Sequence, residues 1–203
     1  MSSERPLVRV VDDDESVRRA VGELLQSVGF SVASYRSAQD FLAEDEPETP
    51  GCLVLDVHLP GLTGLDLQKE IVGTQRALPI IFLTGMGDIP MSVSAMKGGA
   101  VEFLTKPFDT PSLLEAVRNA VEKDRKERLE RRNLSELKGR YDALTLRERD
   151  VMQRLIAGRM NKQIAAELGT SEPTVKEQRA QVMQKMQAES LVALVLLARR
   201  LGL

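Results

Sequence analysis

The chain is poor in cysteine, histidine and aromatic residues, and it lacks a long apolar run. Its 203 residues include one cysteine, one histidine and no tryptophan, and aromatic residues make up 3% of the sequence. The single cysteine, Cys52, excludes an internal disulfide and favours a reducing cytoplasm. The single histidine, His58, leaves too few soft ligands for a zinc site. No apolar stretch reaches the ~18 residues of a membrane span, and residues 1–6 lack the pattern of a secretory signal. We therefore expect a cytoplasmic protein without a membrane segment.

The charge is divided unevenly along the chain. The formal net charge is only −2, but residues 1–122 contain 10 Lys+Arg and 19 Asp+Glu, whereas residues 123–203 contain 18 and 11. An acidic half joined to a basic half indicates a different partner for each half. The basic half favours nucleic acid, although a charged surface is weak support by itself. The length also favours two domains, because a domain usually holds roughly 100–200 residues.

A short apolar run, Leu53–Val57, carries an acidic residue, Asp56, close to its end. Runs of this kind are typical of strands that are buried on both faces of a parallel sheet. Pro60-Gly61 then ends the strand, so Asp56 is predicted at the carboxyl edge of the sheet, where open α/β folds bind their ligands. The alternative is an aspartate that only begins a turn or caps the next helix.

Apolar strands alternate with amphipathic helices over the first 120 or so residues. This alternation predicts an α/β fold, a doubly wound parallel sheet with helices on both faces. Strands are predicted at residues 7–11, 30–33, 53–57, 79–83 and 101–105, and helices at residues 16–28, 38–43, 64–72, 88–97 and from 111 onward.

Polar residues gather at the ends of these predicted strands. Asp12, Asp13, Asp56, Thr84 and Lys106 all follow or end a strand, so they should meet at one edge of the sheet. Each one alone could be a local cap. Together, clustered carboxylates with little nitrogen or sulfur suit a hard cation such as Mg²⁺. A carboxylate beside such a cation can act as a nucleophile toward a phosphoryl group, and an ammonium and a hydroxyl group can neutralise the transferred charge.

Residues 7–122 resemble the receiver domain of two-component response regulators. The motifs that carry the resemblance are Val10–Asp13, Leu55–Gly61, Thr84-Gly85 and Phe103–Phe108. The resemblance implies a flavodoxin-like (βα)5 fold and a phospho-acceptor, Asp56, that receives its phosphoryl group from a partner sensor histidine kinase.

The same resemblance implies further roles for residues near Asp56. Asp12, Asp13 and Asp56 would bind Mg²⁺ together with the backbone carbonyl of His58, with Asp12 acting through water. Lys106 would complete the phosphorylation site, and the Lys106-Pro107 peptide bond would be cis.

Two residues would act as the family's switch. Thr84 would move toward the phosphoryl group and Phe103 would turn inward behind it.

Residues 123–140 are predicted to be a charged helical linker. From 122 to 132 the segment is almost wholly charged, and opposite charges alternate at helical spacing, which stabilises a solvated helix by small increments. Glu127 and Glu130 occupy seam positions, so we do not expect a continuous coiled coil.

Residues 141–203 consist of short amphipathic segments that predict an all-α, four-helix domain. Thr145 and Glu148 form the pattern of a capping box. The short turn Gly169–Ser171 between two of the predicted helices favours a helix-turn-helix. A small helical dimerisation domain is the alternative on pattern alone.

Residues 141–203 also resemble the LuxR/FixJ-type DNA-binding domain. The resemblance rests on Leu144–Arg149, Gly158, Asn161–Ala165, Leu168, Thr174–Lys176 with Arg179, and Met183 with Lys185-Met186. It implies that the helix over residues 172–185 enters the major groove of promoter DNA. The positions implied to face the groove are Lys176, Glu177 and Ala180, and those implied to bind phosphate are Asn161, Lys162, Thr174, Arg179 and Lys185.

Taken together, the chain is similar to the FixJ, TodT and StyR group of transcriptional response regulators. We expect phosphorylation of Asp56 to switch dimerisation and DNA binding, through a surface made by helix 88–97, strand 101–105 and helix 111–121, and we do not expect an enzyme. Two alternatives stay open. One is a DNA-binding regulator whose receiver works without phosphorylation. The other is a Mg²⁺-dependent aspartyl-phosphate phosphatase, which is disfavoured because Val57-His58 supplies no second aspartate as general acid.

Overall fold

Five parallel strands form a single sheet in the first part of the chain. The structure is a computed structural model, and it describes residues 5–45, 49–72, 74, 77–85 and 89–203. The strands lie side by side in the order β2-β1-β3-β4-β5, and all four neighbouring pairs are parallel. Their bounds are β1 Leu7–Val11, β2 Ser31–Tyr35, β3 Gly51–Asp56, β4 Ile80–Thr84 and β5 Glu102–Thr105.

Helices cover both faces of the sheet and bury two apolar clusters. Their bounds are α1 Glu15–Ser27, α2 Ala38–Glu44, α3 Gly64–Ile71, α4 Ile89–Lys97 and α5 Thr110–Asp142. Successive strand residues point to opposite faces, so Val54 packs in the cluster that includes Leu113 of α5. Leu55 packs in the other cluster, with Phe41 and Leu67 of α2 and α3. This arrangement confirms the predicted doubly wound α/β fold.

The observed elements differ from the predicted ones by only a few residues. β2 extends two residues further than expected, to Tyr35, and β3 begins two residues earlier, at Gly51. The predicted fourth helix begins in the structure at Ile89, and Asp88, its predicted cap, lies outside the described residues. The Lys106-Pro107 peptide bond is cis, as the resemblance implied.

A buried polar network lies inside this sheet. The Arg9 side chain, at the centre of β1, is fully buried and forms an ion pair with Asp45, whose side chain is also fully buried. Nη2 of Arg9 donates to the carbonyl oxygen of Thr49 at 3.0 Å. Close by, Asp124 of α5 is fully buried and accepts a hydrogen bond from the backbone N–H of Gly51 at 2.8 Å. The start of β3 and the middle of α5 are therefore joined by a buried charge-assisted bond.

The chain divides into two compact units, Met1–Glu127 and Arg128–Leu203. The predicted linker is helical and is part of α5, Thr110–Asp142. In the second unit the helices are α6 Leu146–Ile156, α7 Asn161–Leu168, α8 Glu172–Met186 and α9 Leu191–Leu201. Within the described part of the chain, no helix is both long and apolar enough to cross a bilayer.

Local sequence signals fix the ends of the helices in the second unit. Thr145 and Glu148 form the predicted capping box at the start of α6. Gly169 ends α7 in the left-handed conformation, with φ 61°, and glycine adopts this conformation at low cost. Ser171 then caps α8 by accepting a hydrogen bond from the backbone N–H of Thr174. The turn between α7 and α8 is therefore as short as a helix-turn-helix requires.

Candidate functional site

The carboxyl ends of four neighbouring strands bring the predicted site residues together. Asp12 follows β1, Asp56 ends β3, Thr84 ends β4 and Lys106 follows β5. The strands are paired in parallel register, with Asp56 beside Leu83, so their ends meet at one edge. The convergence that the sequence predicted for this edge is therefore present in the structure.

Lys106 joins two of the carboxylates at the centre of this edge. Its Nζ lies 2.6 Å from Oδ2 of Asp12 and 2.7 Å from Oδ2 of Asp56. The side chains of Asp12 and Asp56 are 2% and 8% exposed, and that of Lys106 is 19% exposed. Three charged groups thus lie almost out of water, and their charges are balanced mainly by one another.

The three predicted metal-binding carboxylates also lie together. One carboxylate oxygen from each of Asp12, Asp13 and Asp56 lies within 4.8 Å of the others. The backbone N–H of Asp14 donates to Oδ1 of Asp12 at 3.0 Å, and the backbone N–H of His58 donates to Oδ1 of Asp56 at 3.0 Å. These bonds fix the orientation of both buried carboxylates, while Asp13 is exposed to solvent. A set of oxygen ligands open to water on one side suits Mg²⁺, which keeps several of its waters.

Burial and the bonds between the groups set the pKa values of Asp12 and Lys106. Burial raises the pKa of the Asp12 carboxyl above its ordinary value, and the hydrogen bond from Lys106 offsets this effect only in part. Burial lowers the pKa of Lys106, but its bonds to Asp12 and Asp56 outweigh burial and leave the pKa raised. Lys106 therefore stays protonated, and a further cation would stabilise the ionised form of Asp12.

The two predicted switch residues lie on adjacent strands. Thr84 is fully buried, and its Oγ1 lies 3.1 Å from Nδ1 of His58. Phe103 of β5 pairs with Phe82 of β4, and their ring centroids are 6.3 Å apart. Phe103 is half-buried and packs against the apolar cluster on one face of the sheet, so part of its ring is still exposed to solvent.

Helix α4, next to these residues, presents apolar side chains to solvent. Ile89, Val93 and Met96 are 79%, 44% and 45% exposed. A group of large exposed apolar residues on one helix is typical of an interaction surface. Helix α4 corresponds to helix 88–97, one of the three elements predicted to form the surface that changes on phosphorylation.

In the second unit, the predicted DNA-binding residues lie on α7 and α8. Val175 and Val182 point into the core of the unit. Lys176, Glu177 and Ala180 lie on the opposite side of α8 and are exposed. This is the distribution expected of a helix that packs on one face and enters a DNA groove with the other.

The predicted phosphate-binding residues differ in whether their side chains already contact another helix. Lys162 is exposed at the start of α7, and Thr174 is half-buried at the start of α8. Nη1 of Arg179 lies 3.4 Å from Oδ1 of Asn161, which joins α8 to α7. Lys185 is engaged inside its own unit, since its Nζ lies 2.7 Å from Oε2 of Glu148.

Two contacts of these residues were not predicted from the sequence. The His58 side chain reaches Thr84 across 26 positions of the chain, and Glu148 binds Lys185 across 37. No spacing pattern reveals either pair, because both depend on how separate elements pack. The capping box that contains Glu148 was the only sequence signal in either case.

Comparisons with known proteins agree with this geometry. Residues 8–118 match the family model described as the response regulator receiver domain, and residues 142–198 match the model for bacterial regulatory proteins of the luxR family. Nodulation protein W of Bradyrhizobium diazoefficiens is 50% identical over 202 residues, which cover 100% of this chain and 89% of that protein. The response regulator protein TodT of Pseudomonas putida is 42% identical over 201 residues, covering 99% and 88%.

Solved structures are similar over nearly the full chain. The response regulator StyR is 45% identical, with a TM-score of 0.88, and the match covers 97% of this chain and 99% of that one. Full-length FixJ from B. japonicum is 41% identical, with a TM-score of 0.59 and 98% coverage of both chains.

Proposed function

The chain belongs to the two-component response regulators that carry a LuxR-type DNA-binding domain, and we propose that phosphorylation of Asp56 by a sensor histidine kinase controls its binding to promoter DNA. Proteins of this family are transcription regulators rather than enzymes in general. We assign residues 1–122 to the receiver, 123–140 to a helical linker and 141–203 to the DNA-binding domain.

One observation carries the assignment of Asp56. Its buried carboxylate lies next to Asp12 and Lys106, at the edge of the sheet that also holds Thr84. In the proposed reaction, one oxygen of the Asp56 carboxylate forms a bond to phosphorus while the P–N bond to the kinase histidine breaks. Lys106 and Thr84 neutralise and bind the oxygens of the transferred group, since catalysis of phosphoryl transfer depends mainly on positioning and charge.

Asp12, Asp13 and Asp56 fit a magnesium ion, with the backbone carbonyl of His58 as a further proposed ligand. The three carboxylates carry more negative charge than Lys106 alone can balance. Burial also raises the pKa of the Asp12 carboxyl, so a bound cation would favour its ionised form. Bound Mg²⁺ would supply positive charge next to the oxygens of the phosphoryl group. Asp12 and Asp13 would each offer one carboxylate oxygen close to that of Asp56. The ion pair with Lys106 holds the Asp56 carboxylate in position.

We propose that the switch runs from Thr84 and Phe103 to the exposed face of α4. Thr84 turns toward the phosphoryl group, Phe103 becomes more buried, and the surface of α4, β5 and the start of α5 then pairs with a second copy of the chain. The exposed apolar side chains of α4 support this pairing, because burial of such groups stabilises a dimer.

For the DNA complex, we propose that α8 lies in the major groove. Contacts to phosphates would set the register of the helix, and contacts to base edges would select the sequence. The base-facing positions are Lys176, Glu177 and Ala180, and the phosphate-facing positions are Asn161, Lys162, Thr174, Arg179 and Lys185.

Labelling with a small phosphodonor tests the phospho-acceptor directly. Incubation with acetyl phosphate and Mg²⁺ should give a stoichiometric acyl phosphate that is absent from Asp56→Asn. Asp66→Asn is the matched control, since Asp66 is a carboxylate on the surface of α3, and it should label as the wild type does. Labelling that persists in Asp56→Asn would refute the assignment.

A mobility-shift titration tests the control of DNA binding. Phosphorylated protein should bind its own promoter more tightly than unphosphorylated protein at fixed salt, which has to be held constant because salt strongly changes such affinities. Equal affinities would favour a regulator whose receiver works without phosphorylation.

A further inference from the structure

The side chain of His58 holds the hydroxyl group of the buried switch residue Thr84. Nδ1 of His58 lies 3.1 Å from Oγ1 of Thr84, which is within hydrogen-bond distance. Thr84 is fully buried, whereas His58 is exposed to solvent. Packing around the imidazole therefore does not force the ring into this position. The bond itself links the segment after β3 to the end of β4.

The backbone of His58 is fixed at the same time. Its N–H donates to Oδ1 of Asp56 at 3.0 Å. Asp56, His58 and Thr84 are thus connected by two consecutive hydrogen bonds, one to the backbone and one to the side chain of His58. A single residue, His58, therefore separates the Asp56 carboxylate from the Thr84 hydroxyl.

The chemistry of a hydroxyl group makes this contact compete with the proposed switch. A threonine hydroxyl has one proton to donate, and the switch requires Thr84 to donate it to a phosphoryl oxygen on Asp56. If the hydroxyl donates to Nδ1 of His58 at rest, that bond has to break before the switch. If Nδ1 carries the proton, the hydroxyl oxygen has to leave its donor as Thr84 moves. With either tautomer, the bond favours the resting position of Thr84.

We propose that His58 is a positioning residue that retains Thr84 in its resting position and so reduces the fraction of unphosphorylated molecules in the switched state. This inference rests on the proposed function of Asp56 and Thr84. A single intramolecular hydrogen bond changes an equilibrium by roughly 2- to 12-fold, and we expect an effect of this size.

Binding of beryllofluoride in the presence of Mg²⁺ measures the effect on the full chain. Beryllofluoride takes the place of a phosphoryl group on an acceptor aspartate, so its affinity reports how easily the site adopts the switched state. His58→Phe keeps a planar ring but removes both ring nitrogens, including the Nδ1 that contacts Thr84, and it should bind beryllofluoride about 2- to 12-fold more tightly than the wild type. In His58→Asn an amide atom takes the place of Nδ1, and the affinity should stay within about twofold of the wild type.

A double-mutant cycle with Thr84→Val separates this role from a general effect on the site. In the Thr84→Val background, His58→Phe should no longer change the affinity for beryllofluoride, because there is no hydroxyl group to hold. An equal gain with and without the Thr84 hydroxyl would overturn the inference. So would an unchanged or weaker affinity of His58→Phe in the otherwise wild-type chain.

The resting contact can also be measured without any phosphoryl analogue. The chain has one histidine, so its imidazole ¹⁵N signals belong to His58. Thr84→Val should shift the Nδ1 signal, and an unchanged signal would contradict the contact. If the wild type does not bind beryllofluoride, or Asp56→Asn binds it equally well, the proposed function fails and this inference fails with it. If the wild type binds beryllofluoride through Asp56 but the double-mutant cycle shows no coupling between His58 and Thr84, only this inference is wrong.

Discussion

Replacing Arg9 with methionine tests how strongly the first unit depends on one buried ion pair. The side chains of Arg9 and Asp45 are both 0% exposed. Removal of one partner from such a pair leaves the other charge buried without compensation, which typically costs about 3–5 kcal/mol. The variant also loses the hydrogen bonds from Arg9 to the carbonyl oxygens of Leu7 and Thr49. A loss of this size is a large fraction of the ~5–15 kcal/mol that stabilises an ordinary domain.

The expected change in melting temperature follows from the size of the unit. An entropy of unfolding of roughly 2.1 cal/mol/K per residue, applied to the unit Met1–Glu127, gives a decrease of about 10–20 °C for Arg9→Met. Calorimetry of the full chain should show this shift. Hydrogen exchange should assign the loss of protection to Met1–Glu127 and leave Arg128–Leu203 unchanged.

A matched exposed pair provides the control. Arg36 also pairs with an aspartate, Asp40, but its side chain is 80% exposed. Exposed pairs contribute about 0–1 kcal/mol, so Arg36→Met should shift the transition by only a few degrees. The double variant Arg9→Met with Asp45→Leu should regain much of the lost stability, since it leaves no unpaired buried charge. Equal losses from Arg9→Met and Arg36→Met would refute the reasoning.

Three further predictions concern the sites of the two units. Burial raises the pKa of Glu148, but its bonds to Lys185 and to the helix start outweigh burial and lower it below 4.5. Glu148→Gln keeps an acceptor for the capping box but loses the charge that binds Lys185. It should therefore destabilise the second unit by up to about 1 kcal/mol at neutral pH, and urea titrations should show the difference from the wild type vanish as the pH falls through the lowered pKa of the folded state. Lys162→Ala should weaken DNA binding for all sequences and reduce the slope of log K against log salt by about 1, as fluorescence anisotropy at several salt concentrations would measure; an unchanged slope would exclude a phosphate contact. A Cβ on Gly64 would lie 2.2 Å from the carbonyl oxygen of Asp56. Gly64→Ala should therefore shift Asp56, the proposed acceptor, and slow its labelling by acetyl phosphate, and normal labelling would contradict this.

The fold and the meeting of the site residues could be predicted because both follow from local patterns. A parallel sheet places the carboxyl ends of its strands at one edge, so the order of strands and polar residues was enough to bring Asp12, Asp56, Thr84 and Lys106 together. Helix caps could also be predicted, because a cap involves residues that are close together in the sequence. Thr145 and Glu148 are three residues apart, and the structure confirms their capping box.

Contacts that depend on packing could not be predicted. Arg9 stands in an apolar strand, and its sequence neighbours give no sign of Asp45, which lies 36 positions away. The sequence shows that His58 lies two residues after Asp56, but the direction of the imidazole toward Thr84 depends on the pairing of β3 with β4. Both cases involve polar side chains whose partners are brought close only by the folded chain.

The bonds of Lys106 explain why phosphorylation of Asp56, under the proposed function, has an effect beyond the acceptor itself. At rest the ammonium group of Lys106 is shared between the carboxylates of Asp12 and Asp56. Once Asp56 becomes an acyl phosphate, its carboxyl oxygen is no longer an anion and the negative charge lies on the phosphoryl oxygens. The ammonium group keeps Asp12 as a partner, but the charge that it bound at Asp56 now lies on the phosphoryl oxygens. Attraction to that charge moves the ammonium group away from its resting position. The backbone N–H of Lys106 donates to the carbonyl oxygen of Thr84 at 2.7 Å. A displacement of Lys106 would therefore also displace the ends of β4 and β5, where Thr84 and Phe103 lie.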